Sequence, residues 1–308
     1  MSYLATIVIP TMFSNLDYLR ECLVSLGQLK FDPAILHPKV EVLVVCNSSE
    51  AKMLEVQASL TNSLKTIEGT KKTFRLDIHW LCLGFNTGFV GATNAGIQAS
   101  QAAGAEYVIF LNDDTQVTPL WLSELVLTQR RTRADMIASK VYLGDKKTLD
   151  SQGFGFSWRG KAEALNQDLK CSLSNDSDYW LNQPNLLNQK DLTEPFGPDG
   201  AAAMYTQKLF KQIGLLEKDF FAYLEDVDLA LRARQHGLVC ALAEKAIIYH
   251  YKHATSSKFS SFKSRQDLIN WGKIVKRRYN SRVLKKFAII IFIERLKNLS
   301  GFLKSKYN

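Results

Sequence analysis

No Cys-x-x-Cys pair occurs in this chain, and its five cysteines (Cys22, Cys46, Cys82, Cys171, Cys240) are odd in number and widely spaced. That argues against a disulfide framework and a cysteine zinc module; the thiols read as reduced, in a cytosolic setting. Proline is scarce at 7 residues, and glycine reaches only 17 in 308, which excludes collagen-like and Pro/Gly-rich low-complexity chains. No apolar run approaches the roughly 18 residues of a membrane span; the longest near the C-terminus is Phe287–Ile293. The first residues carry no basic segment and their apolar run stops at Pro10, so no secretory signal is expected. No Walker A phosphate loop is present, and Gly84 and Gly88 are four apart, not the two of Gly-x-Gly-x-x-Gly. A nicotinamide site is therefore unsupported.

What is present is a globular composition, 46% hydrophobic and 22% charged, long enough for one large α/β domain or two modest ones. The formal net charge is +9, from 39 Lys/Arg against 30 Asp/Glu. Residues 273–308 hold eleven Lys/Arg and one acid, Glu294, leaving 28 basic and 29 acidic residues in 1–272, a net of −1. The body is neutral and the tail is basic.

Along the first 140 residues short β-rich runs alternate with helical patterns, which predicts a mostly parallel sheet with crossover helices. Ala5–Ile9, Val40–Cys46, Ile78–Leu83 and Tyr107–Leu111 read as strands. Ser14 with Asp17 reads as a helix start, followed by Leu16, Leu19, Leu23 and Leu26 on one face. Thr118 and Pro119 open a helix to about Arg133. From about 142 to 196 the pattern turns irregular and rich in Asn, Gln, Asp and Ser, with Phe154, Phe156, Trp158, Tyr179 and Trp180 among them. Segments of that kind inside a domain are functional or mobile. A strand at Ala201–Thr206, a helix ended by Gly214, a helix from about Glu225 to Gly237 and strands near Leu238–Leu242 and Ile247–Tyr249 follow.

Several polar groups fall at strand ends, where open parallel sheets bind ligands. Asn112-Asp113-Asp114 follows the strand at Val108–Leu111; adjacent carboxylates there suit an oxygen-liganded Mg²⁺ or Mn²⁺, or equally an Asx-turn and helix cap. Glu225, Asp226 and Asp228 crowd a helix start, either to complement the helix dipole or to present a general base. His250 ends an apolar strand and reads as a structural histidine or a ligand. Gly88-x-x-Gly91-x-x-Asn94-x-Gly96 and Gly197-Pro198-Asp199-Gly200-Ala201 allow close approach of backbone to a ligand or simply tight packing.

Six pieces share an order: Thr6-Ile-Val-Ile-Pro-Thr11; Glu41-Val-Leu-Val-Val-Cys-Asn47; Asn86-x-Gly88-Phe89-x-Gly91-x-x-Asn94-x-Gly96; Leu111-Asn-Asp-Asp114; Gly197-Pro-Asp-Gly-Ala-Ala202; and Phe221-x-Tyr223-x-Glu225-Asp226-x-Asp228-Leu229-x-x-Arg232, closing at His250. In this the chain resembles the family 2 glycosyltransferases of GT-A fold, especially bacterial rhamnosyltransferase-like members, over roughly residues 4–255. The resemblance implies a GT-A catalytic domain over 1–255, with 142–196 as the acceptor-side segment, and a basic amphipathic helical tail over 256–308. It implies a hexosyl- or deoxyhexosyl-transferase that inverts the anomeric centre, moving a sugar from a nucleotide diphosphate to a lipid-linked glycan in surface polysaccharide synthesis. Asp226 matches the catalytic base, with Glu225 beside it. Asp114, Asn112 and His250 match the metal positions, for Mg²⁺ or Mn²⁺. Pro10, Thr11, Asn47, Asn86, Gly88, Asn94, Asn112, Asp113, Gly200 and Ala201 fall on the donor side, and Trp158, Tyr179, Trp180 and Asp199 on the acceptor side.

Two departures stand out: Asn112 replaces the first acid of the D-x-D motif, and Cys46 stands where the family carries an acid that contacts the nucleoside. They favour a rival reading, a non-catalytic sugar-nucleotide-binding relative acting as scaffold or regulator. A nucleic-acid-binding reading rests only on the pI of about 9.2 and has no groove-reading motif behind it. For the tail, Phe287–Ile293 flanked by Lys285-Lys286 and Arg295-Lys297 suits a helix lying on an anionic leaflet, or one packed on the body with a solvated basic face. The expected location is cytoplasmic, peripheral on the inner face of the membrane.

Overall fold

The run of small and branched apolar residues after Leu4 forms strand β1 (Ala5–Thr11), and its side chains alternate between two cores. Ala5, Ile7 and Ile9 enter one cluster and Val8 the other. Strands β2 (Lys39–Cys46) and β4 (Tyr107–Leu111) do the same. Both faces of the sheet are covered, which is why these strands read as continuous apolar runs and not as alternations. A computed structural model shows this architecture; it describes residues 2–69, 74–157, 161–166, 194–252 and 260–307.

The elements follow as α1 (Leu16–Gly27), α2 (Glu50–Gly69), β3 (Arg75–Cys82), α3 (Gly88–Ala102), β5 (Thr115–Val117), α4 (Trp121–Thr132), β6 (Met136–Leu143), β7 (Leu149–Ser151), β8 (Phe154–Ser157) and β9 (Lys161–Ala164). After them come β10 (Ala202–Thr206), α5 (Gln207–Ile213), a 3₁₀ turn (Lys218–Phe220), α6 (Glu225–Gln235), β11 (Cys240–His250), α7 (Ser260–Arg278) and α8 (Ser281–Tyr307). Among the described residues nine strands share one sheet in the order β3-β2-β1-β4-β10-β6-β11-β5, with β7 on β6. β1 to β4 are mutually parallel where they pair, β10 runs antiparallel between β4 and β6, and β6 and β11 are parallel. Helices α1, α2 and α4 cover one face; α3, α5, α6 and α7 cover the other.

Several sequence expectations shift. Asn15, not Ser14, caps α1, its side-chain oxygen accepting from the N–H groups of Asp17 and Tyr18. Helix α4 starts at Trp121 because Thr115–Val117 pairs with β11 and Thr118 donates to Ile247 O. The two strands expected at 238–249 are one, β11, with a register break between Ala243 and Ile247. Within 142–196, β7 pairs with β6, and β8 and β9 form a hairpin. Helix α7 buries Trp271 and Ile274 in the same cluster as α6 and β10, so α7 packs on the body. Trp158, Tyr179, Trp180 and Cys171 lie outside the described residues.

Candidate active site

The parallel register brings the carboxyl ends of three strands level. Thr11 pairs with Cys46, and Cys46 with Cys82, while β1 and β4 match Val8 to Phe110, which sets Thr11 beside Asp113. Thr11 Oγ1 donates to Asp113 Oδ2 at 2.5 Å and accepts from the N–H of Phe13 at 2.9 Å. Pro10 and Thr11 thus close β1 against the acidic end of β4. Burial pushes the Asp113 carboxyl up to about 6, with the Thr11 hydrogen bond opposing.

Asn47 organises the next wall. Its Nδ2 donates to Asn86 Oδ1 (3.1 Å) and Gly88 O (3.0 Å), and its Oδ1 accepts from the N–H (2.7 Å) and Oγ1 (2.9 Å) of Thr87. The loop before α3 is therefore fixed by one side chain at the end of β2. Gly88 has φ 75°, and a Cβ there would collide with the carbonyl of Phe221, so the 84–88 loop and the turn before α6 touch where only glycine fits. Asn94 is placed differently from the sequence expectation. Its amide donates to Leu216 O (2.9 Å) and accepts from Leu216 N (3.0 Å), fully buried in that exchange; it staples α3 to the 214–217 loop and faces no cleft. Cys46 is also buried, 3.9 Å from the Cys82 sulfur.

Asp114 and His250 come together at the crossing of β4, β5 and β11. His250 Nε2 lies 3.1 Å from Asp114 Oδ1, both side chains about one-tenth exposed. Asn112 Nδ2 is 3.5 Å from the same ring nitrogen. On the far side of the ring, Asp150 Oδ2 is 4.0 Å from His250 Nδ1, and both atoms are buried without a hydrogen-bond partner. Asp150 also pairs with Lys252 at 2.6 Å. No local pattern in the sequence marks Asp150; β6 and β7 put it there. Among the described residues no three His, Cys, Asp or Glu side chains converge to enclose a metal ion. A pair of buried O and N donors 3.1 Å apart, with a neutral amide beside them, nevertheless fits part of a six-coordinate Mn²⁺ or Mg²⁺ shell open to ligand oxygens.

The third part is the start of α6. Asn112 N donates to Ala201 O (2.9 Å), tying the end of β4 to the 197–202 bend. On that bend Gly200 N donates to Asp226 Oδ2 (3.3 Å), and Val227 N donates to Asp226 Oδ1 (2.8 Å). Asp199 Oδ1 accepts from Ala201 N (2.9 Å). Burial first, then the Asp199 charge, pushes the Asp226 carboxyl well above the usual aspartate range. Burial and then Asp226 push Glu225 up further; its Oε2 has no partner. Asp228 is differently employed. It accepts from Arg232 Nε (2.9 Å) and Arg278 Nε (2.7 Å) and is 1% exposed. One helix turn therefore presents Asp226 to the bend and spends Asp228 on structure.

This topology, with ligand-type side chains at the ends of β1, β2 and β4, is the GT-A fold. The chain superposes over 97% of its length on 71% of S. aureus TarS 1-349 in complex with UDP-GlcNAc (TM-score 0.52, 16% identity). It superposes over 81% on 43% of GalNAc-T7 with UDP, GalNAc and Mn²⁺ (TM-score 0.56, 13% identity). Residues 6–214 match the family described as Glycosyl transferase family 2, and the chain belongs to that family. Over 187 residues it is 24% identical to the low-salt glycan biosynthesis hexosyltransferase Agl10 of Haloferax volcanii. That match spans 60% of this chain and about half, 55%, of the relative.

Proposed function

We propose that this protein is an inverting glycosyltransferase that moves a hexose or deoxyhexose from a nucleotide-diphosphate donor to a hydroxyl of a lipid-linked glycan. The observation that carries this reading is one bend serving two unlike sites. Ala201 accepts from the end of β4, beside the Asp114–His250 pair, and Gly200 donates to Asp226. Single displacement needs such an arrangement, with a group that neutralises the leaving diphosphate and a base for the incoming hydroxyl.

In this reading Thr11 and Asp113, with the loop held by Asn47 and Asn86, seat the nucleoside and ribose. Asp114 and His250, with Asn112 as a neutral oxygen donor, hold the divalent cation. A bound Mn²⁺ or Mg²⁺ supplies Lewis-acid neutralisation of charge on the departing diphosphate. Asp226, fixed by two backbone N–H groups, takes the acceptor proton as that oxygen attacks the anomeric carbon and the bond to diphosphate breaks on the opposite face. Its raised pKa suits a base working near neutrality. Asp199, at the same bend, meets the acceptor. Cys46, buried against Cys82, leaves the nucleobase to be read by other groups.

The tail deepens the reading. Val283, Phe287 and Ile291 of α8 are buried against α7. On the opposite side, at about 100° per residue, Ile289, Phe292, Ile293, Leu296, Leu299 and Leu303 are exposed, with Lys285 among them and Lys286 and Lys297 along one edge. No described helix is long and apolar enough to cross a membrane. An exposed apolar stripe with lysines within it and along one edge fits the surface of an anionic bilayer, where a lipid-linked acceptor resides.

The donor reading is tested by melting curves with UDP-, GDP- and dTDP-sugars, with and without Mn²⁺. A ligand at a hundred times its Kd stabilises by about 2.7 kcal/mol. At least one nucleotide class raises the melting temperature in Mn²⁺, and Asp114→Ala loses that rise; no rise with any of them contradicts the reading.

A further inference from the structure

Three residues in the four before Glu225 carry positive φ without being glycine: Phe221 (61°), Tyr223 (67°) and Leu224 (65°). For such side chains this conformation costs about 1–2 kcal/mol each and persists only where the surroundings hold it. From α7 a single side chain holds it. Asn270 of α7 is fully buried, and its Nδ2 lies 3.1 Å from Phe220 O, 2.9 Å from Ala222 O and 2.8 Å from Tyr223 O. Its Oδ1 accepts from Lys273 Nζ at 3.2 Å, which turns the N–H₂ end toward the turn. Three carbonyls share two N–H groups, all aimed at the backbone that leads into the Glu225-Asp226 pair. From the other side Phe221 O accepts from Val90 N at 3.0 Å. The turn is gripped between the donor-side helix α3 and the C-terminal helix α7.

We propose that Asn270 is a positioning residue for the Asp226 carboxylate, so that α7 forms part of the catalytic apparatus. The inference rests on the reading of Asp226 as the base. Asn270 touches no reacting atom; it fixes the backbone from which Asp226 projects. A polar side chain would otherwise be out of place beside Trp271 and Ile274 on the buried face of α7.

The test is a double-mutant cycle on the full-length protein, with turnover and donor affinity measured separately. Asn270→Asp keeps the shape and removes both N–H donors. It lowers kcat about tenfold or more while the donor Kd from calorimetry stays within about twofold. Because the effect passes through Asp226, Asn270→Asp combined with Asp226→Asn is no slower than Asp226→Asn alone. Should Asn270→Asp fail to fold, Asn270→Gln, which keeps the amide, and Asn270→Ser go through the same cycle. A folded Asn270 variant without the amide that turns over within about twofold of wild type overturns the proposal, as does a full multiplication of the two losses in the double variant. If Asp226→Asn itself turns over normally, the base reading fails and this inference falls with it. If Asp226→Asn is inactive and Asn270→Asp is normal, only this inference fails.

Discussion

Asp226 and Asp228 sit two positions apart at the start of α6 and meet different fates. Asp228 is enclosed by Arg232 and Arg278, whereas Asp226 accepts from the backbone N–H groups of Gly200 and Val227, pairs with no arginine among the described residues, and has the charge of Asp199 nearby. A base is active when deprotonated, so activity falls as pH drops through its pKa. With that pKa raised, the acidic limb of the kcat profile lies above the value of about 4 for an ordinary aspartate. Asp199 is the second cause of the rise, so Asp199→Asn lowers the pKa and moves the limb to lower pH. A pH–rate profile for the two proteins checks this; an unmoved limb removes Asp199 from the electrostatics of the base. The residue pattern alone left these acids split between helix-dipole and base roles, and only the resemblance singled out Asp226; the Arg278 partner of Asp228 lies 50 residues downstream in a segment that reads as basic tail. Asn94 misled for a related reason: its partner, the backbone of Leu216, leaves no trace in the sequence.

Helices α6 and α7 are joined by that arginine pair. Arg278 also reaches Glu217 at 2.7 Å, and Arg232 donates to the carbonyls of Ile213 and Leu215. Asp228→Ala therefore strands two largely buried guanidinium groups that keep other acceptors, a loss near the lower end of the range for breaking a buried pair, about 3 kcal/mol. Urea denaturation reads this as a lower midpoint at unchanged slope; an unaltered midpoint means the pair is replaceable. Helix α8 is a different kind of element, with one face on α7 and an apolar stripe facing outward. Removing residues after Asn280 releases the protein from anionic vesicles while the melting transition of the body is kept, because the contacts of α7 remain. Sedimentation with vesicles checks it, and continued binding by the shortened chain assigns the anchor elsewhere. Strands β1, β2 and β4 were legible because burial on both faces leaves a nearly unbroken apolar run. Strand β3, at the partly exposed edge, carries Arg75, Asp77 and His79 and was legible only from Ile78 on. Helix α2 and strands β5 to β7 were not, since among its described side chains α2 buries little more than Val56 and Leu60, β5 pairs with β11 more than a hundred residues on, and β7 pairs only with β6 among the described residues.

For the whole molecule, residues 1–272 are near neutral and 273–308 basic; in the proposed reading the tail sets where the protein works and the sheet ends what it does. The GT-A architecture could be anticipated because its motifs fall in order along one chain, each at the carboxyl end of a strand or the start of a helix. The link between α7 and the turn before α6 could not, since a lone Asn among apolar residues says nothing of three carbonyls 47 to 50 residues away. The most direct test of a carboxylate-assisted transfer is the rate of nucleoside diphosphate release from the donor, measured with Mn²⁺ for wild type and Asp226→Asn. Loss of a general base lowers that rate by about a hundredfold or more with donor binding intact; a rate near wild type would contradict Asp226 as the base and the inverting mechanism built on it.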